Sequence, residues 1–150
     1  MNRLKYYITS LVILAIMIAA FSAFADESAD AKAKYFLSGY GWEVSDKCLE
    51  SSQIIIPEPF DLVYESYNAM QLDAGLDLRP YMGKHGIRYT YEVTNYPIDV
   101  GEQVRANVII IDGKCVGGDI CTVSLDGFMH SLRKAEPTHH ESKAFYMLCR

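Results

Sequence analysis

The chain has 150 residues, of which 50% are hydrophobic, 22% charged and 12% aromatic; this excludes a disordered, collagenous or low-complexity spacer, none of which carries enough apolar side chain to close a core. Arg3 and Lys5 are the only charges in the first 25 residues, so of 14 Lys+Arg and 19 Asp+Glu the remaining 125 residues hold 12 basic and 19 acidic groups, a net charge of −7. That sign excludes a protein that grips nucleic-acid backbone, and the length suits one ordinary core and not two.

The chain opens with a short basic stretch, an apolar run from Ile8 to Phe24, and Ala23-Phe24-Ala25 before Asp26. These are the three parts of a secretory signal peptide with a small-x-small cleavage site. The competing reading is an uncleaved anchor: the run at ~1.5 Å per residue reaches ~26 Å, a little under the ~30 Å of a hydrocarbon core. Cleavage is preferred because acids follow the run where a stop-transfer segment would carry basic residues. No cysteine near its end could accept a lipid, the first being Cys48. The sequence therefore predicts a signal peptide over 1–25, one domain over 26–132 that starts at Asp26 once processed, and a C-terminal tail over 133–150. The protein is then secreted or extracytoplasmic, or, if uncleaved, anchored in the membrane by residues 8–24.

Within the domain, Ala29 to Ser38 reads as a short helix that Gly39 ends as a left-handed cap. Short strands follow at Trp42-Glu43-Val44 and at Gln53–Ile56, the second stopped by Pro57 and Pro59. Phe60, Val63, Tyr64, Tyr67, Met70 and Ala74 recur at the i, i+3, i+4, i+7 spacing of one helical face, with Gly75 as the stop. Leu76 to His85, with Pro80 and Gly83, is a loop.

Ile87, Tyr89, Tyr91 and Val93 alternate with Arg88, Thr90, Glu92 and Thr94, the period-2 pattern of a strand with one wet face. Gln103 to Ile111 is the next strand, and Asp112-Gly113 predicts a tight hairpin turn because both central positions need positive φ. That turn sets Ile110 against Cys115 and Val108 against Gly117, with Cys115 on the apolar face of Val104, Ala106, Val108 and Ile110. An unbroken register would push Asp119 into that face, so a bulge at Gly117-Gly118 is expected, turning Ile120 inward and Asp119 outward. A brief helix from Ser124 to about Leu132 closes the domain. The fold class is α+β: an antiparallel meander of three main strands plus one or two short ones, packed on one face by helices. The 60–74 helix is expected on the Val104/Val108/Ile110 face.

Cys48, Cys115, Cys121 and Cys149 allow three full pairings that the sequence leaves open; without a fold-back at Gly117-Gly118, Cys115 and Cys121 on one strand stand ~20 Å apart. No pair has the close spacing of a zinc site, and buried free thiols are the plainer reading.

The segments LSGYGWEVSD, IPEPFDLVYESYNAMQLDAGLDLRPYMGK, RYTYEVTNYP and VRANVIIIDGKCVGGDICTVSLDGFMHSL, spanning about Phe36 to Leu132, resemble the domain of unknown function 4830 family, small exported or envelope-associated bacterial proteins. The resemblance implies an α+β domain behind a signal or anchor and carries over no catalytic residue, activity or ligand.

For a site, Arg88, Glu92, Arg105, Asn107 and Asp119 fall on the wet sheet face and suit a binding surface. A solvated face with surface ion pairs worth ~0–1 kcal/mol each is the plainer reading. Tyr40, Trp42, Tyr81 and Tyr96 lie near turns and are candidate aromatic anchors. Asp126 and His130, at i, i+4 on the expected last helix and close to Asp119 and Cys121, permit a catalytic drawing, though no oxyanion, phosphate or nucleophile motif accompanies them. His139-His140-Glu141 is a poor metal site, since adjacent side chains diverge. The favoured function is a non-catalytic extracytoplasmic module for a protein, peptide or envelope component. Its alternative is a small hydrolase or metal-dependent enzyme centred on Asp119, Asp126 and His130. No cofactor, metal or nucleic acid is expected, and a membrane only if the N-terminal segment stays on.

Overall fold

The computed structural model describes residues 2–98, 100–124 and 127–134, without the side chains of residues 2–5 and 21–27. Residues 2–38 contain no Gly or Pro, so nothing interrupts the helical hydrogen-bond ladder. One continuous helix, α1 (Asn2–Gly39), accordingly runs through the short helix expected at Ala29–Ser38 and the residues before it. It also passes Gly39 and stops at Gly41, whose φ is +83°. Gly41 N–H donates to the Ser38 carbonyl (2.9 Å) and Trp42 N–H to the Leu37 carbonyl (3.1 Å), a Schellman stop that brings Trp42 onto Leu37.

The N-terminal half of α1 exposes apolar side chains all round, among them Leu11 (66%) and Met17 (64%), whereas its C-terminal half buries Ala33 and Leu37. Among the described residues no helix is long and apolar enough to cross a membrane. The end of the Ile8–Phe24 run lies among the side chains that are not described.

Five strands follow: β1 (Glu50–Ile55), β2 (His85–Glu92), β3 (Arg105–Ile111), β4 (Lys114–Cys121) and β5 (Met129–His130). They form one antiparallel meander in the order β1-β2-β3-β4-β5. The 42–44 segment contributes only a bridge from Val44 to Val93. Between β1 and β2 lie α2 (Leu62–Asp73) and a 3-10 turn at Arg79–Tyr81. The Asp61 carboxylate caps α2 by accepting from Tyr64 N–H (2.7 Å), and Gly75 (φ +77°) ends it as expected.

The meander packed by helices is as the sequence led us to expect, but the helices divide between its two faces. α1 covers the face of Tyr89, Tyr91, Val104, Ala106, Val108, Ile110 and Ile120. α2 lies on the other, where Ile109, Ile111 and Val116 meet Ile56, Leu78, Tyr64 and Tyr67. The expectation of α2 on the Val104/Val108/Ile110 face is therefore wrong. Val108 to Ile111 is an unbroken aliphatic run, apolar on both faces, and each face requires its own cover.

The face that α2 presents also differs from the one its apolar spacing suggests. Asn68 and Gln71 are fully buried and Val63 is 74% exposed, so the inward stripe is Tyr64, Tyr67, Asn68 and Gln71, equally an i, i+3, i+4, i+7 set. The buried amides have work to do. Asn68 accepts from Leu78 N–H (2.7 Å) and donates to Asp77 (2.9 Å), while Gln71 accepts from Gly118 N–H (2.8 Å).

The hairpin turns at Asp112 (φ +50°) and Gly113 (φ +72°) as predicted. The bulge is present one step earlier than expected: Ile110 pairs with Cys115 and Ile109 with Gly117, so Val116 is the extra residue. The parity change is the anticipated one, Ile120 facing the α1 core and Asp119 the opposite side. Beyond β4 the described residues of the expected 124–132 helix are not helical. Met129 and His130 pair instead with Cys121 and Ile120 as β5. Asp126, the 135–150 part of the expected tail with His139, His140 and Glu141, and Cys149 lie outside the described residues. Cys48, Cys115 and Cys121 are free thiols.

Candidate functional site

β-sheet register alone brings the expected binding residues together. Thr90 on β2, Asn107 on β3 and Asp119 on β4 are direct cross-strand neighbours, so they form one row on the face that α2 partly covers. Glu92, Arg105 and Cys121 form the next row. Arg88 stands one row nearer α2, opposite Ser52 and Ile109.

The central row is a hydrogen-bonded relay. Thr90 Oγ1 donates to Asn107 Oδ1 (2.7 Å), Asn107 Nδ2 donates to Asp119 Oδ1 (2.8 Å), and the Tyr67 hydroxyl on α2 donates to Asp119 Oδ2 (2.8 Å). The face is not wet at its centre. Asp119 is 2% and Asn107 8% exposed, which corrects the expectation of a solvated row. The bulge expels Asp119 from the α1 core, but α2 lies over the side on which it emerges, and Tyr67 meets it there.

Burial pushes the Asp119 carboxyl above the usual carboxylate range. Hydrogen bonds from Asn107, Tyr67 and Cys121 and the Arg88 guanidinium pull against that without reversing it. The Tyr67 hydroxyl is held well above its ordinary value, first by burial and then by Asp119. The Cys121 thiol is pushed up to about 11, again chiefly by burial and next by Asp119, so at neutral pH it is protonated and a poor nucleophile. Arg88 reaches toward Glu50 at 3.9 Å, and Arg105 Nε donates to Gln103 (3.1 Å). Arg88, Glu92, Arg105 and Cys121 are half-buried. They rim a ledge whose floor is the internally satisfied relay.

His130 belongs elsewhere. It pairs with Ile120, so it points to the face opposite Asp119, and the two cannot share one reacting atom. Its Nδ1–H donates to the Ser131 carbonyl (2.7 Å), which leaves Nε2 to accept from the Tyr96 hydroxyl (3.2 Å). The ring stacks on Phe128 at 5.5 Å. Burial holds its pKa below the ordinary histidine value. The neutral ring is thus the form that folding favours, and its stabilisation is complete above about pH 6.5 and is lost as pH falls through the lowered pKa. Urea midpoints taken at about pH 5 and about pH 7.5 should show the parent losing stability on acidification and His130→Gln losing less.

The turn aromatics are likewise engaged internally. Trp42 is 2% exposed; its Nε1–H donates to the Leu132 carbonyl (2.7 Å), its ring stacks on Tyr96 at 5.8 Å, and the Lys134 ammonium lies 4.8 Å over it. The Tyr40 hydroxyl donates to the Ala74 carbonyl (3.0 Å), tying α1 to the end of α2. Tyr81 packs with the Ile56–Leu78 cluster, the Lys84 ammonium 5.8 Å from its ring centre. Sequence reasoning missed Tyr67, Gln71 and Thr90 as members of the site region. Only their spacing, at helical and cross-strand intervals from residues already singled out, could have pointed to them.

Among the described residues no group of three or more His, Cys, Asp or Glu could hold a metal ion. The model of a domain of unknown function, number 4830, matches residues 36–120, ending a little short of the Leu132 limit read from sequence. No curated protein and no solved structure matches the chain.

Proposed function

The chain belongs to the domain of unknown function 4830 family, and on that footing we propose that it is an exported, non-catalytic binding module that engages a protein, peptide or envelope component outside the cytoplasm. The observation that carries this reading is the ledge on the α2 face. Arg88, Glu92 and Arg105 remain half-exposed on a rigid sheet, while the groups able to do acid-base or thiol chemistry beneath them are consumed by one another. A guanidinium beside a carboxylate on a fixed scaffold can orient a polar partner without reacting with it. The basic start, the apolar Ile8–Phe24 run and the acids after it support export.

The test uses the chain recovered from its native envelope. Among the described residues the Arg105 guanidinium donates to Gln103 at the surface, so Arg105→Ala should shift stability by less than about 0.5 kcal/mol. It should nonetheless lower retention of the partner that the parent chain holds by about tenfold, the loss of one charge-assisted contact. Retention equal to the parent's, or a chain shielded in the cytoplasm from externally added protease, overturns the reading.

A further inference from the structure

We propose that the outer edge of β1 pairs antiparallel with β1 of a second copy of this chain, joining two sheets into one across a two-fold axis at Gln53. This goes beyond the ledge reading and does not depend on it.

Hydrogen bonds fix which way the backbone of β1 points. The carbonyls of Thr90 and Glu92 accept from Leu49 and Ser45 N–H (2.8 and 2.9 Å), and Ile56 N–H donates to the Lys84 carbonyl (3.0 Å). The even-numbered residues of β2 therefore face β1. By the pairing of Ser52 with Arg88 and Ile54 with Gly86, so do the even-numbered residues of β1. Ser51, Gln53 and Ile55 turn their N–H and C=O groups away from the sheet, and their side chains are exposed, Ile55 by 56%.

The two edges of the sheet are treated differently. At the far side, β5 covers Ile120 and Cys121, and the Gln71 side chain occupies the Gly118 N–H. On β1, the run Ser51 to Ile56 carries no charge, proline, glycine or bulge, the devices that usually keep an edge strand from pairing.

A second copy fits this edge because the segment is complementary to itself. With Gln53 opposite Gln53 of the other copy, Ser51 faces Ile55 and each outward N–H meets an outward C=O. Glu50 falls opposite Ile56, and the two Glu50 side chains stand at opposite ends of the pairing, about 20 Å apart, so no like charges meet. The axis is perpendicular to the sheet, as an isologous in-sheet contact requires. Both α1 helices then lie on one face and both ledges on the other. The contact is smaller than the ~1,200 Å² of stable complexes, so the dimer dissociates reversibly in the micromolar range.

Sedimentation equilibrium of the full chain in detergent micelles, which occupy the apolar half of α1, tests this. The parent should show a reversible monomer–dimer equilibrium. Gln53→Pro removes only an outward N–H, so it should leave the unfolding midpoint unchanged and weaken dimerisation at least tenfold. Gln53→Lys and Gln53→Glu should each be monomeric alone and dimerise when mixed, because only the mixture sets opposite charges across the axis. If Gln53→Pro fails to fold, the charged pair decides alone. A parent that stays monomeric at several hundred micromolar overturns the proposal. So does an association that survives all three substitutions, or two charged variants that do not pair on mixing.

Discussion

Asp119→Ala should destabilise the protein by about 2–4 kcal/mol in urea titration, although the position looks like a surface carboxylate from sequence alone. The substitution leaves the Tyr67 hydroxyl and the Asn107 amide without their acceptors inside the fold, at about 1–3 kcal/mol for each buried group left unpaired. Part of that cost is offset, because the removed carboxyl is itself disfavoured by burial. Asp119→Asn keeps the volume and one acceptor, and the Tyr67 hydroxyl can rotate to accept from the new amide, so its cost should stay near 1 kcal/mol or less. The two variants also separate by pH. A carboxyl whose folded pKa is raised contributes stability that is complete below its unfolded value near 3.8 and is lost as pH rises through the raised folded value. The parent should lose stability across that window and Asp119→Asn should not. If Asp119→Ala unfolds at the parent midpoint, the relay is not part of what holds α2 on the sheet.

Gly118→Ala should cost about 3 kcal/mol, and clearly more than Gly117→Ala. A Cβ at 118 would stand 2.5 Å from the Asn107 carbonyl oxygen and 2.9 Å from Leu132 Cδ1. The carbonyl is backbone in the adjacent strand and cannot step aside without parting β3 from β4. At 117 the nearest atoms are Leu78 Cδ2 (2.9 Å) and Gln71 Oε1 (3.2 Å), the far ends of side chains that can yield, for about 1 kcal/mol. Because the 118 clash bears on Asn107 itself, it should also loosen the Asn107–Asp119 bond, which pulls the raised Asp119 carboxyl down, and so move its titration further above that of a free carboxyl. Urea midpoints for both variants, with the carboxyl followed by NMR, check the order and the coupling. Equal costs at the two positions would mean that the strands part more easily than the distances imply.

The glycine pair illustrates why some of this molecule was legible in the chain and some was not. Asp112-Gly113 is legible because a tight hairpin is a local demand for positive φ, answered by the two residues themselves. The need for a bulge was also legible, since alternation counted from that turn drives a carboxylate into an apolar face. Its position was not, because sliding the extra residue from Gly117-Gly118 to Val116 leaves the parity at Asp119 the same. A capping serine and spaced apolar residues predict a helix over 124–132. Met129 and His130 lie in β5 instead because the edge of β4 offers them a ladder to join.

The α+β class, the meander and its turn, the helix from about Phe60 to its stop at Gly75, and the grouping of Arg88, Glu92, Arg105, Asn107 and Asp119 on one sheet face are legible in the amino-acid sequence. All of these follow from periodicity and from turn and cap chemistry, which act over a few residues. Tertiary structure alone decided that α1 and α2 take opposite faces, that Asp119 is buried under Tyr67, and that His130 points away from it. Val108 to Ile111 is apolar toward both sides, and the local pattern contains nothing that assigns one helix to one side. That assignment follows from burying both faces at once with the Asn68 and Gln71 side-chain oxygens accepting from Leu78 and Gly118 N–H, a condition that exists only when the whole chain is assembled.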